Sequence, residues 1–365
     1  MRFLLHSVGD KVATGVRRRG STAPQSTGSR HVDLSRILEK AKSDRWSVGD
    51  FDWSRPRPPM TREGEIATVQ YFTDMAGIER LASALFHAQA QRTDDPLLKE
   101  ALEVFAADEV RHAHAAQMLA DYYDVHRYRV YQQNASLRRF APHFVKAIHY
   151  ISPHVATAYI TCGELLLDMV LLRSINEYVG DAMSQQVIDR VNRDESRHVA
   201  VDFHMAERFS SDAYHRALRE RPRRTWAERL RVWWTYVCVG FLARPFIRDV
   251  FFRPMDRLDP SGRRLREAFK HVQLFGTKPG IRSHADARYL MGVQRLHNLP
   301  GVRTLLGPLL AGLIGMQSRF LEQLYTEAEA RRAEAMSFDE MAQAALAVKE
   351  REGEARGAAL ALERR

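Results

Sequence analysis

From about Glu63 to Ser210 apolar residues recur every three or four positions through long stretches, the pattern of amphipathic helices. The spacing predicts one helix from about Glu63 to Arg92, a second from Leu97 to Asp124, a third from Pro153 to Tyr178 and a fourth from Ala182 to Arg208. Thr93-Asp94-Asp95-Pro96 ends the first helix and starts the second, with Asp95 as N-cap and Pro96 in the first helical position. Val179-Gly180-Asp181 is a turn in which Gly180 is the natural C-cap. A connection of about 28 residues containing Pro142 joins the two pairs. Two antiparallel pairs with one long connection make an all-α four-helix bundle with a single crossover.

The apolar stripes are interrupted by acids and imidazoles. The second helix buries Leu98, Leu102, Phe105, Glu109, His112, Ala116 and Leu119, and the fourth buries Ile188, Val191, Glu195, His198 and Met205. The first presents Phe72, Met75, Glu79, Ala82 and Phe86, the third Thr157, Ile160, Glu164, Leu167 and Leu171. Asp108-Glu109-Val110-Arg111-His112 and Asp194-Glu195-Ser196-Arg197-His198 are two copies of D-E-x-R-H. A Glu and a His three apart share one helix face and can grip one metal. The five-residue pattern is expected by chance only about 0.007 times in such a composition. Glu79, Glu109, Glu164 and Glu195 each lie about 15 residues from their turn, roughly 22–23 Å along the helix and at one level of the bundle. Glu63, Glu65, Glu100, Glu103 and Glu177 fail this depth test. Four acids in an apolar core need neutralising, and two divalent cations do it. Six carboxylate and imidazole ligands suit iron or manganese better than structural zinc.

Around the bundle, residues 1–60 read as a basic, partly disordered arm with a polar linker at Ser21–Ser29 and a short helix near Asp33–Ala41. The bundle is expected over 61–212, a helical extension packed on it over 213–330, and a helical or disordered tail over 331–365. The chain's first residues reverse the order of a signal peptide, since their Arg cluster follows the short apolar stretch. No run reaches the roughly 18 apolar residues of a spanning helix. The longest, Val232–Ala243 ended by Arg244-Pro245 and Leu305–Met316 broken by Gly307-Pro308, read as buried or interfacial helices. The 365 residues contain only two cysteines, Cys162 and Cys238, which excludes a disulfide scaffold, a zinc ribbon and a built-in rubredoxin-type centre and is consistent with a reducing cytoplasm. The net charge is +10, and Arg216–Arg231 holds seven Arg against two Glu beside Trp226, Trp233 and Trp234. That stretch is either a solvated basic face or a docking surface for an acidic carrier protein, an acidic ferredoxin or anionic lipid at a membrane surface. No RNA-binding signature is present, which speaks against nucleic acid as a partner.

The paired D-E-x-R-H motifs resemble the ferritin-like di-iron carboxylate superfamily over about residues 63–210, and are similar to those of acyl-carrier-protein desaturases and several di-iron oxygenases. The resemblance implies a ferritin-like bundle. Glu79 and Glu164 would be terminal ligands, Glu109 and Glu195 bridging ones, and His112 and His198 one imidazole for each iron. It also implies that Asp194 orients His112 and Asp108 orients His198. The p-aminobenzoate N-oxygenase type has an extra His four residues before the second bridging Glu, where this chain has Val191. A radical-bearing Tyr, as in the ribonucleotide reductase radical subunit, would have to be Tyr123 or Tyr159, for both of which core packing is the expectation; His87 reads as a core or boundary residue.

The expected activity is O₂-dependent oxidation of a mainly apolar, carrier-bound or free organic substrate by hydroxylation or desaturation, with two iron ions (Fe/Mn as the variant) and O₂ as co-substrate. No nucleotide-binding loop occurs, so electrons come from a separate reductase or ferredoxin. A ferroxidase or peroxide-scavenging protein and a di-iron RNA hydroxylase are the alternatives. A homodimer is the common assembly of such bundles.

Overall fold

The structure, a computed structural model, describes residues 33–220, 224–314 and 316–347, without the side chains of 167–169, 285–286 and 313–314. Most of the basic arm and residues 348–365 of the tail lie outside the described residues. Within them the chain is all-helical, with no strand. A short helix, α1 (Leu34–Ser43), precedes two long ones, α2 (Arg62–Ala90) and α3 (Pro96–Tyr123). The crossover follows and contains α4 (Ala135–Ile148). Then come α5 (Pro153–Leu166), a π-helical segment over Leu167–Leu172, α6 (Arg173–Val179) and α7 (Ala182–Phe209). α2 packs on α3 and α5 on α7, while α2 touches α5 and α3 touches α7.

Local chemistry sets the ends of these helices. Asp95 accepts from the backbone N–H groups of Leu97 and Leu98, and Pro96 follows it. Gly180 caps α6 at φ 67°, in the left-handed region, and Asp181 accepts from Ser184 N to start α7. The Tyr123 hydroxyl donates to Asp181 over 2.6 Å, joining the end of α3 to the start of α7. At the opposite end Arg92 donates to the Ile151 carbonyl at 2.6 Å and Arg208 to Asp95 at 2.6 Å. The α2–α3 and α5–α7 turns therefore sit at opposite ends of the bundle, as a single crossover requires.

Three local features are not given by the spacing of apolar residues. Pro142 lies inside α4 and does not break it. It costs one helical hydrogen bond, offset by burial of Leu137, Phe140, Ala147 and Ile148 along one face. The third long helix is interrupted by the π segment just after Glu164, an irregularity that 3.6-residue periodicity does not reveal. Arg244-Pro245 and Gly307-Pro308 also fail to end their helices: α9 runs Trp226–Phe246 and α14 runs Val302–Ile314.

The intervening elements are α8 (Asp212–Glu220), a second π segment over Ile247–Phe252, α10 (Arg253–Leu258), α11 (Arg263–Thr277), α12 (Pro279–Arg282) and α13 (Ala285–His297). After α14 come α15 (Ser318–Leu321) and α16 (Glu327–Ala335), and residues 338–347 are helical as well. The main core joins the α2, α3, α5–α7 interior to Phe252, Phe269, Phe275 and Phe320 from the C-terminal half. Contrary to the expectation that no run reaches spanning length, the continuous stretch Pro153–Val179 is long and apolar enough by composition to cross a membrane. In the fold it is an inner helix of the bundle, with 60% of its most apolar window buried.

Replacing Gly180 with Ala is expected to destabilise the fold by about 1 kcal/mol, because a Cβ is strained at that backbone angle. A Cβ there would meet only the Glu177 carbonyl, at 3.6 Å, so the loss measures strain and not a clash. Denaturant titration of the two proteins checks it.

Candidate metal centre

Each long helix brings one acid to a common level. α2 supplies Glu79, α3 Glu109 and His112, α5 Glu164, and α7 Glu195 and His198. All six are buried, none more than 4% exposed. Their ligand atoms form two overlapping groups, Glu79, Glu109, His112 and Glu195, and Glu109, Glu164, Glu195 and His198, with the atoms of each group within 4.8 Å of one another. Glu109 and Glu195 belong to both groups. The structure thus brings together all six residues singled out as ligands. His87 is exposed, Tyr159 is 52% exposed, and Tyr123 is buried on Asp181. Solvent exposure of His87 and Tyr159 replaces the boundary and core positions expected for them. Glu65, rejected on depth, is buried but accepts from the backbone N–H of His126 and lies 2.7 Å from its Nδ1.

The imidazoles are held from behind. His112 Nε2 lies 3.1 Å from Asp194 Oδ2, and an acceptor-only carboxylate places the proton on Nε2. Asp194 also accepts from Trp46 Nε1 at 2.8 Å and pairs with Arg197, which reaches Asp44 at 3.1 Å. Trp46 stacks on His112 with ring centroids 6.1 Å apart. On the other side His198 Nε2 is 3.6 Å from Asp108 Oδ2, beyond hydrogen-bond length, and Asp108 pairs with Arg111. Both Nδ1 atoms face inward. His112 Nδ1 is 3.0 Å from Glu195, and His198 Nδ1 is 3.0 Å from both Glu109 and Glu195.

These atoms are close without all being satisfied. Glu79 Oε1, both Glu109 oxygens and His112 Nδ1 are buried with no hydrogen-bond partner. Nitrogen and carboxylate lone pairs aimed at one another in a dry interior repel unless a cation or added protons lie between them. The donor set, four carboxylates and two imidazoles with Glu109 and Glu195 common to both groups, is one that could hold metal.

Titration behaviour follows from the same crowding. Burial, reinforced by the Glu195 charge, pushes Glu79 up to about 7 and holds Glu109 and Glu164 well above the carboxylate range. Burial also raises Glu195, but His198 and His112 outweigh it and hold the acid well below its ordinary value. Burial lowers the imidazoles, yet Asp194 and Glu195 lift His112 to about 10, and Glu195 and Asp108 lift His198 to about 9. Protons stand in for missing positive charge.

Two residues of the centre were not legible as such. Asp202 lies seven residues after Glu195 and four after His198, fully buried with both oxygens unpartnered; its spacing on the stripe was the available signal. Burial raises its carboxyl well above the usual range. Trp46 comes from outside the bundle, and no periodicity connects it to Asp194.

No protein-family model matches this chain, and no curated protein or solved structure matches it. The assignment of the centre therefore rests on its own geometry.

Two outcomes are expected. Trp46→Phe removes a donor to a buried carboxylate and costs about 2 kcal/mol of stability, with metal affinity falling about tenfold through looser support of His112; calorimetric melting and metal titration measure both. The second concerns pH. Glu79, Glu109 and Glu164 have raised folded-state values, so their protons stabilise the metal-free fold below their ordinary 4.5, and that contribution fades as pH climbs through about 7 for Glu79. The raised imidazoles lose theirs only as pH passes about 9 and 10. Cations replace these protons, so the rise in melting temperature on adding manganese(II) should grow from pH 5 to pH 8, about three decades of proton competition. A pH-independent rise would contradict the linkage.

Proposed function

We propose that the protein is a ferritin-like di-iron oxidoreductase that uses O₂ to oxidise a mainly apolar organic substrate by hydroxylation or desaturation. The observation that carries the reading is the set of two overlapping ligand groups sharing Glu109 and Glu195 in a buried interior. Glu79 and His112 would hold one iron, Glu164 and His198 the other, with Glu109 and Glu195 between them. Bound there, ferrous ions supply the electrons and Lewis acidity for O₂ activation.

The chain's own residues orient and insulate the centre. Asp194 keeps the proton of His112 on Nε2 and leaves Nδ1 as the ligand atom. Trp46, Arg197 and Asp44 hold Asp194 in turn. On the His198 side the wall is apolar: Phe105 and Phe86 stand 4.2 and 5.3 Å from the His198 ring by centroid, and Ile160, Leu102 and Val201 belong to the same cluster. Such a wall excludes water and suits an apolar substrate. Asp202, buried on α7 one turn after His198, is a polar group in this half and a candidate proton holder. Electrons come from a separate ferredoxin or reductase.

Anaerobic addition of ferrous iron to purified protein is expected to load about two irons per chain, and Glu109→Ala or Glu195→Ala about one or fewer, because each removes a ligand common to both positions. Loading well below two in the parent protein would contradict the proposal. O₂ uptake that rises with candidate acyl-carrier or free fatty substrates supports the oxygenase; rapid iron turnover with peroxide and no substrate dependence supports a ferroxidase instead.

A further inference from the structure

α9 is apolar on both sides. Its inner face, Val239, Leu242, Ala243 and Phe246, packs against Phe140 and Leu137 of α4. Phe140 and Phe246 stack with centroids 4.5 Å apart. The opposite face carries Trp226, Leu230, Trp233, Trp234, Val237 and Phe241, at helical offsets 0, 4, 7, 8, 11 and 15. That is the spacing of a core-facing stripe, yet it lies in solvent: Trp226 is 79% exposed, Trp233 59%, Trp234 60% and Phe241 70%. The stripe spans roughly 22 Å of helix. A helix that is apolar all round is ordinarily enclosed by protein or lipid.

The charge beside this stripe is mainly positive. From Arg224 to Phe246 there are four Arg and one acid, Glu228, whose carboxylate is occupied by the backbone and hydroxyl of Thr225. Near the start of the helix a recess of about 700 Å³ is lined by Arg92, His149, His154, Arg219, Arg224 and Tyr236. Arg92 and Arg224 are fixed there on the carbonyls of Ile151 and Tyr150.

We infer that the outer face of α9 docks on an anionic phospholipid surface, with its indoles at headgroup depth and the flanking Arg side chains on lipid phosphates. Indoles combine an apolar body with an N–H that stays hydrated, the property that places Trp at the membrane interface. Basic residues next to an apolar helix face add attraction to anionic lipid. A second copy of the chain carries the same +10 charge and the same Arg cluster, so it lacks this complementarity. The inference does not depend on the metal centre. It gives a di-iron oxygenase a route to substrates held in a bilayer.

The test is sedimentation of the full chain with phosphatidylcholine vesicles and with vesicles in which about a third of the lipid is phosphatidylserine. The protein is expected to sediment with the anionic vesicles and to be released as salt rises. Trp233→Ala/Trp234→Ala and Arg229→Glu/Arg231→Glu are each expected to weaken partition at least about tenfold, with unchanged thermal melting, since all four side chains are exposed. Failure to bind anionic vesicles overturns the inference. So does full binding by both variants. A parent dimer that becomes monomeric in the Trp variant, by light scattering, assigns the stripe to a second copy and overturns it as well. Loss of vesicle binding on addition of an acidic acyl carrier protein that itself binds the stripe would do the same.

Discussion

Four glutamates gathered in a buried interior cannot all carry charge without compensation, and the rest of the fold is arranged around that fact. Without metal the compensation comes from protons, on Glu109, Glu164 and the two imidazoles, with Glu195 left ionised between His112 and His198. Two divalent ions do the same electrically and also satisfy the lone pairs that protons leave unmatched. The unpartnered oxygens of Glu79 and Glu109 are those in need of such a partner.

Around this constraint the bundle is tied at both ends and padded on one side. Tyr123 with Asp181, and Arg92 and Arg208 with Ile151 and Asp95, fix the relative heights of the four long helices. Those heights bring four acids from separate helices to one level. The support is asymmetric. His112 leans on Asp194, which holds Trp46 and Arg197, whereas His198 is packed by Phe105 and Phe86 and stands farther from Asp108. The two sides of the centre therefore differ in polarity.

Much of this is legible in the chain because it is written at helical spacing. The paired motifs, Asp95-Pro96, Gly180 and the equal depths of the four acids all depend on short-range geometry that a sequence carries explicitly. What escapes is long-range or irregular. Trp46 reaches Asp194 from a segment outside the bundle, and a π segment after Glu164 shifts a helix that periodicity draws as uniform. Pro142, Pro245 and Pro308 look like breaks but sit inside helices, because tertiary packing outweighs one lost hydrogen bond. The outer stripe of α9 reads as core from spacing alone; only the fold reveals that nothing in the chain covers it among the described residues.

The most direct measurement is anomalous diffraction at the iron edge from crystals loaded anaerobically with ferrous iron. Two separate peaks are expected, one in contact with Glu79 and His112, the other with Glu164 and His198, and both touching Glu109 and Glu195. An interior with no peak among these six side chains, or iron only on the surface, would contradict the idea that a metal pair is what makes their burial possible.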